Sequence, residues 1–285
     1  MTKSIAAIAC SGFLLTACEN SDSQGNLNLA ITDAPVDGAD EVWITFDAVT
    51  IKPEQGDAQT YDVDPPKKIN LLNLTGTSST ELLNQPLDAG RYSWIRLSID
   101  DADNSTYLVN STGTHSLRIP SGNQTGLKLN RSFSIDADVE TAFTIDFDLR
   151  KSIHMTGSGS YMMRPTLRIV ETSMAGSISG SIDPSLVTEG CYPGVYVFNE
   201  GDPVDDMDGV DDPVVALSIS MSDNGTYNYT AGFLSAGNYT VAYTCEANLD
   251  DAPDGVNEND DVIDFTQQAI VTVTTGANSE YNFAP

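Results

Sequence analysis

Short runs of β-branched and aromatic residues that alternate with polar residues constrain the fold of this chain more than any other feature. The clearest run sets Trp43, Thr45, Asp47 and Val49 against Ile44, Phe46 and Ala48. Both sets are partly apolar, which is typical of a strand inside a β-sandwich. Gly, Asn and Asp separate such runs along the chain, as turn residues do. The sequence therefore predicts an all-β fold.

The sequence MAGSISGSI, near Met174, separates two groups of strand-like runs. The first group comprises Asn26 to Thr32, Val42 to Ile51, Tyr92 to Ile99, Thr141 to Phe147 and Tyr161 to Glu171. The second comprises Ser177 to Ile182, Val195 to Phe198, Val214 to Met221, Thr226 to Thr230, Asn238 to Thr244, Ala269 to Thr274 and Glu280 to Phe283. We predict two tandem β-sandwich domains, at 26–173 and 174–285, each long enough to bury a core. The only helix-like piece is 70–84, which is short and broken by Gly76.

The first 25 residues have the pattern of an export signal. Lys3 is followed by an apolar run from Ile5 to Leu15, which is too short to span a bilayer. Next comes Leu15-Thr16-Ala17-Cys18, which resembles the lipobox cut by lipoprotein signal peptidase. We therefore expect residues 1–17 to be a lipoprotein signal peptide, Cys18 to carry lipid that inserts in a membrane, and 18–25 to form a tether. The alternative is an ordinary thiol after a cleaved secretory peptide. Lipidation is favoured because small residues precede Cys18 and polar residues follow it.

The residue after Cys18 bears on localisation within the bacterial cell envelope. It is Glu19 rather than Asp, and in enteric-type bacteria Asp at that position tends to retain lipoproteins at the inner membrane. By that analogy the outer membrane is favoured.

The charge of the chain is strongly negative and unevenly distributed. The formal net charge is -28, and no Lys, Arg or His follows Arg168. Nucleic acid is therefore disfavoured as a partner, because the second half would only repel phosphates. The acidity favours either solubility in a salty habitat or the binding of divalent cations.

Two loops of the second segment concentrate acidic residues. Candidate calcium ligands are Asp205, Asp206, Asp208, Asp211, Asp250, Asp251 and Asp254. Calcium prefers several carboxylate and carbonyl oxygens on a loop that bends round it. Neither loop fits the EF-hand spacing, and solvated surface loops are an equal alternative. If both loops meet at one end of a sandwich, a cation would relieve the repulsion between them.

Cys191 and Cys245 are the cysteines that remain after export and lipidation. An exported chain enters an oxidising compartment, where a disulfide is the default state of such a pair. The alternatives are a reactive dithiol or a metal pair. Both are weak, because neither a CxxC spacing nor a nearby His is present.

The first segment resembles a known family. The blocks GNLNLAITDAPVDGADEVWITFDAVTI, INLLNL, LDAGRYSWIRLSI, TIDFDLRKSI and GSGSYMMRPTLRI follow the layout of the domain of unknown function 4382 family over roughly Gly25 to Glu171. The resemblance implies an extracytoplasmic β-sandwich, frequently lipid-anchored and followed by a transthyretin-like or carboxypeptidase-regulatory-like domain. Residues 174–285 look like that companion. The pattern L-x-A-G-x-Y, at Leu87 to Tyr92 and Leu234 to Tyr239, recurs in transthyretin-like and Cna-B-like sandwiches.

Catalytic patterns are scarce, and the family brings no established activity. His115 and His154 are the only histidines, and no GxSxG, HExxH or phosphate-binding glycine loop occurs. Trp43 and Trp94 are interpreted as core residues, with a sugar-binding surface as the alternative. The sequence thus predicts a non-enzymatic binding or adhesive module, with an unknown protein or glycan partner. The alternatives are a carbohydrate-binding or accessory subunit of an envelope or secretion complex and, third, a hydrolase.

Overall fold

The computed structural model describes residues 23–33, 38–100, 105–120, 126–207, 212–250 and 263–285. Thirteen strands precede Met174 in this part of the chain. They are β1 (Gln24–Asp33), β2 (Glu41–Pro53), β3 (Gln59–Asn70), β4 (Thr80–Asp88), β5 (Gly90–Ile99), β6 (Tyr107–Asn110), β7 (Gly113–Arg118), β8 (Leu127–Leu129), β9 (Phe133–Ile135), β10 (Glu140–Asp148), β11 (Ile153–Met155), β12 (Tyr161–Met163) and β13 (Thr166–Glu171).

Seven more strands follow in the described part of the chain. They are β14 (Ala175–Ile182), β15 (Gly194–Asn199), β16 (Val215–Ser218), β17 (Tyr227–Ser235), β18 (Gly237–Thr244), β19 (Phe265–Val273) and β20 (Asn278–Glu280). The described helices are single turns at Leu71–Asn73, Leu149–Ser152, Thr172–Met174, Pro184–Leu186 and Ala247–Leu249. Within the described residues, none has the length and apolar character that a membrane crossing requires. The predicted all-β fold class is confirmed.

The first thirteen strands form two sheets that pack face to face. One has the order β13-β10-β1-β4, with β1 and β10 parallel. The other is a nine-stranded sheet centred on β2 and β5. Phe46 of β2 meets Phe147 of β10 across the interior, with ring centroids 6.1 Å apart. One continuous apolar core fills this first domain.

The later strands form a smaller pair of sheets. Their orders are β17-β14-β20 and β16-β15-β18-β19. The ring of Tyr243 on β18 lies 5.5 Å from the ring of Phe283, whose backbone bridges to Ile182 of β14. Most of the buried apolar side chains of this second domain lie in that interior. A separate small cluster around Tyr196 and Phe198 faces the first domain's Arg150.

The helix-like piece predicted at 70–84 is wrong. Only Leu71–Asn73 forms a helical turn, and Thr80–Asp88 is strand β4, which pairs antiparallel with β1. Asn70 explains the turn, because its side chain accepts a hydrogen bond from the backbone amide of Leu72. The apolar spacing of this piece reflects burial against the sheet rather than a helix face.

The two ends of β1 have different neighbours. At the first end, the amide of Ala89 donates to the carbonyl of Ser23 over 2.7 Å. At the other end, Asp33 lies beside Phe147 in the sheet, and its carboxylate accepts from the amide of Leu149 over 3.3 Å. Ten strand residues separate these ends, which is about 33 Å at the usual rise. The end at Ser23, called the leader end here, is thus far from the end at Leu149, called the contact end.

Candidate functional site

Arg150 lies in the contact between the two domains. It is 5% exposed, and its guanidinium carbon lies 5.1 Å from the centre of the Tyr196 ring. It donates to the carbonyl of Ala247, and Asp250 Oδ2 lies 3.8 Å from its Nη2. The side chains of Arg150 and Asp250 are 4% and 1% exposed. A first-domain cation is therefore buried against a second-domain carboxylate, an arrangement that is costly to break from one side.

Asp250 is also held by hydrogen bonds within the second domain. Its Oδ2 accepts from the Tyr196 hydroxyl, and its Oδ1 accepts from the amide of Met207 over 3.0 Å. Met207 follows Asp206, so the Asp250 carboxylate connects the two predicted acidic loops. The charge that compensates this carboxylate in the structure is the Arg150 guanidinium.

The other predicted calcium ligands are only partly described. Asp206 is buried, whereas Asp205 is exposed and accepts from the amide of Asp206 over 3.1 Å. The remaining candidates, Asp208, Asp211, Asp251 and Asp254, lie outside the described residues. Among the residues that the structure does describe, no group of three acidic, His or Cys side chains is placed to hold a metal ion. Calcium binding therefore stays a prediction.

Lys151 makes a second link between the domains. Its Nζ donates to the carbonyl of Pro213 and lies 3.6 Å from Asp212 and 3.8 Å from Asp148. Asp148 caps the helical turn by accepting from the amide of Lys151 over 3.1 Å. Burial raises the pKa of Asp148 to about 6, and the nearby Lys151 ammonium opposes that rise.

Arg168 makes a third link from strand β13. It pairs with Asp146 and donates to the carbonyl of Phe233 over 2.6 Å. Close by, the loop after Leu74 lies directly on β17. A Cβ atom added to Gly232 would be 2.0 Å from the carbonyl oxygen of Gly76, so only glycine fits there. The cations Arg150, Lys151 and Arg168 and this close approach of two backbones therefore join the domains. A single helical turn at Thr172–Met174 links β13 to β14.

The predicted disulfide is confirmed. Cys191 and Cys245 are bonded across a sequence separation of 54. The amide of Tyr192 donates to the carbonyl of Cys245 over 2.7 Å, and the amide of Ala247 donates to the carbonyl of Tyr192 over 3.1 Å. The disulfide therefore holds in place the segment that follows Cys245. This segment contains the Ala247 carbonyl and the Asp250 carboxylate, both of which contact Arg150.

The repeated L-x-A-G-x-Y pattern forms the same contact in both domains. The hydroxyl of Tyr92 donates to the carbonyl of Asp88 over 2.7 Å, and that of Tyr239 donates to Ser235 over 2.9 Å. Both rings are buried. Each ring therefore packs in a core while its hydroxyl stays hydrogen-bonded.

Both tryptophans lie partly buried on the outer face of the nine-stranded sheet, and their interpretation as core residues is wrong. The Trp43 indole donates to Glu41 over 2.6 Å, and Lys68 lies 5.7 Å from its ring centre. The Arg96 guanidinium carbon and the Lys128 ammonium lie 4.9 Å and 4.7 Å from the centre of the Trp94 ring. The predicted lipidation residue, Cys18, lies outside the described part of the chain.

These features define a two-domain all-β protein in which the cations of one sandwich enter the acidic surface of the other. Residues 24–165 match the model of the family described as domain of unknown function (DUF4382). The match confirms the resemblance found for the first segment and covers just under half of the chain. No curated protein matches the chain.

Solved structures resemble the chain only weakly. The TIE protein of Bacillus anthracis is 13% identical, with a TM-score of 0.22, over 91% of this chain and 34% of that one. The minor pilin GBS52 of Streptococcus agalactiae is 8% identical, with a TM-score of 0.21, over 90% and 94%. The fimbrial anchor protein Mfa2 of Porphyromonas gingivalis is 12% identical, with a TM-score of 0.20, over 88% and 99%. The chain thus spans about a third of the Bacillus protein.

Proposed function

We propose that this chain is a non-enzymatic, lipid-anchored protein of the bacterial cell envelope that acts as a binding or adhesive module. The observation that carries the proposal is the buried contact between Arg150 and Asp250. Together with the contacts of Lys151 and Arg168, it joins the two sandwiches into one stiff unit. A stiff unit on a short tether presents its outer surfaces within a limited distance of the membrane.

The direction of the chain supports this arrangement. The tether would enter at the leader end, where Ser23 is bonded to Ala89. Five residue steps from Cys18 to Ser23 reach at most about 17 Å when extended. The second domain is held at the contact end, about 33 Å further along β1. The second domain would therefore stand farther from the membrane than the first.

Lipid anchoring is tested on the whole chain in cells. Labelled palmitate is expected to be incorporated, and Cys18→Ala is expected to abolish incorporation because no thiol remains at the lipobox position. Cys10→Ala is the matched control, because Cys10 lies in the apolar run that is removed, and it should leave labelling unchanged. Separation of inner and outer membranes then tests the outer membrane location proposed from Glu19. Labelling that survives in Cys18→Ala contradicts the anchor.

Calcium is proposed to stiffen the acidic end of the second domain. Binding to the folded state alone stabilises it, by about 2.7 kcal/mol when the free ion is at a hundred times its dissociation constant. We therefore expect millimolar calcium to raise the melting temperature of purified protein above that of chelator-treated protein by several degrees. Magnesium at the same ionic strength is the control and should give a smaller rise. Identical melting temperatures with calcium and with chelator would remove the proposal.

A carbohydrate-binding role is the second candidate function. The outer position of Trp94, with Arg96 4.9 Å and Lys128 4.7 Å from its ring centre, favours it. Aromatic rings and cations on an open sheet face are suited to a polar, extended ligand. This candidate is compatible with the anchored module, because it specifies the surface through which the module would bind.

A further inference from the structure

A compact group of cations surrounds Trp94 on the outer face of the nine-stranded sheet. Lys52 lies opposite Trp94 in the pairing of β2 with β5, and Lys128 lies opposite Arg96 in the pairing of β5 with β8. The Arg96 guanidinium and the Lys128 ammonium both lie within 5 Å of the ring centre. These four residues, Lys52, Trp94, Arg96 and Lys128, are called the Trp94 patch.

No described carboxylate forms an ion pair with a cation of the Trp94 patch. Within the described residues, neither Arg96 nor Lys128 forms an ion pair, and the Lys52 ammonium donates to the backbone carbonyls of Pro53 and Gly56. Like charges directly opposite each other on neighbouring strands are destabilising. The ring of Trp94 offsets part of this cost through cation–π attraction. In a chain with 41 acidic and 13 basic side chains, these cations thus lie on the outer sheet face, where Lys128 is exposed and Lys52 and Arg96 are partly exposed.

The backbone holds Arg96 in place. A Cβ atom on Gly126 would lie 2.9 Å from Arg96 Cγ and 2.6 Å from the carbonyl oxygen of Leu97. Gly126 has a φ of +63°, which glycine adopts without strain. The arginine stem therefore lies close along the sheet, where its guanidinium stays over the ring. Beside it, Thr50 and Thr60 share a 2.9 Å hydrogen bond and add hydroxyl groups to the same face.

We propose that the Trp94 patch binds an acidic polysaccharide whose sugar rings carry carboxylates. Charge complementarity supplies the attraction, and the threonine hydroxyls offer hydrogen bonds to sugar hydroxyls. Two cations already lie over the indole ring, so the site offers charge rather than a bare ring for a neutral sugar. This inference rests on the proposed binding function and names its ligand class.

The surroundings of the patch disfavour a membrane surface as the occupant. Trp94 is only partly exposed on the sheet face. The adjoining leader end carries the exposed acids Glu54, Asp57, Asp88 and Asp138, which anionic headgroups would repel. A flexible polymer avoids those acids by following the sheet face. The acidic second domain lies toward the opposite end of the first domain, so salt screening at physiological ionic strength weakens its repulsion of a ligand at the patch.

The test measures binding of the purified, detergent-solubilised full chain to immobilised alginate and polygalacturonate, with dextran as the neutral polymer. We expect binding to both acidic polymers in 0.15 M salt, none to dextran, and loss of affinity as salt is raised. Arg96→Gln combined with Lys128→Gln should lower the affinity at least tenfold. The matched control is Arg91→Gln, which removes an exposed cation from the same strand and should change the affinity less than twofold.

The melting temperature of each variant shows whether it still folds. Arg96→Lys is a second variant that keeps both the positive charge and the packed aliphatic part of the side chain. It should retain more affinity than Arg96→Gln. The proposal is overturned by equal binding to dextran, or by alginate binding that the double variant leaves intact. It is also overturned if the double variant loses only self-association or binding to phosphatidylglycerol vesicles. Cys18 labelling and attachment of the intact protein to cells are measured on the same double variant, so that the anchored-module proposal succeeds or fails separately.

Discussion

Arg150→Met is expected to lower the free energy of unfolding by about 3–5 kcal/mol, because it leaves a buried carboxylate without its guanidinium. The side chains of Arg150 and Asp250 are 4% and 1% exposed, so water cannot replace the lost charge without opening the contact. The carbonyl of Ala247 loses its donor in the same variant. We expect the contact between the domains to open before either core unfolds, so that unfolding becomes a two-step process.

Urea unfolding followed by fluorescence measures the loss, and small-angle scattering measures the separation of the domains. Arg91→Gln is the control, since the Arg91–Glu54 pair has side chains 65% and 45% exposed and such pairs contribute about 0–1 kcal/mol. Arg150→Met combined with Asp250→Asn removes both charges and keeps one side-chain oxygen that accepts from the Met207 amide, while the Asn amide nitrogen can donate to the Tyr196 hydroxyl. This double variant should recover part of the loss. An unchanged midpoint in Arg150→Met would show that the buried pair does not hold the domains together.

Cys191→Ala with Cys245→Ala is the second change with a large expected effect. The two cysteines are 54 positions apart, and closing a loop of that size stabilises the folded state by about 4 kcal/mol in the chain-entropy model. The same staple fixes the segment that holds Ala247 and Asp250. Its loss and the Arg150→Met change should therefore be non-additive, as expected for residues that share a contact.

Denaturant midpoints of the single and combined variants measure this coupling. Reductant should destabilise the wild-type protein toward the alanine variant, and it should leave the alanine variant itself unchanged. If the alanine variant unfolds at the wild-type midpoint, the bond does not stabilise this domain. If the combined variant shows purely additive losses, the staple does not support the contact between the domains.

Local pattern was sufficient for the long strands. The run predicted at Val42 to Ile51 lies within Glu41–Pro53, and that at Tyr92 to Ile99 lies within Gly90–Ile99. The alternation of apolar and polar residues identifies these strands because one face of each strand lies in the core. It fails at 70–84, where the pairing of β4 with β1 decides the structure. That pairing joins residues far apart in sequence, which local spacing does not reveal.

The sequence pattern did not predict the contact between the domains. Arg150 and Lys151 follow a predicted strand directly and have the pattern of its polar end. A signal for them existed in the charge distribution. No Lys, Arg or His follows Arg168, so a carboxylate buried in the second domain can find a basic side chain only in the first. The prediction that both tryptophans lie in the core was wrong for a related reason. Alternation separates the two faces of a strand, but it does not reveal that cations from neighbouring strands cover the rings on the outer face.

The buried pair of Arg150 and Asp250 also bears on how such a protein can change over generations. The buried negative charge of Asp250 in the second sandwich is neutralised by Arg150, which belongs to the first. A recombination that moved residues 174–285 to another gene would carry Asp250 away from Arg150, and the new neighbour would have to supply a replacement cation. The two sandwiches are therefore expected to be inherited together, with substitutions at one position constraining those at the other.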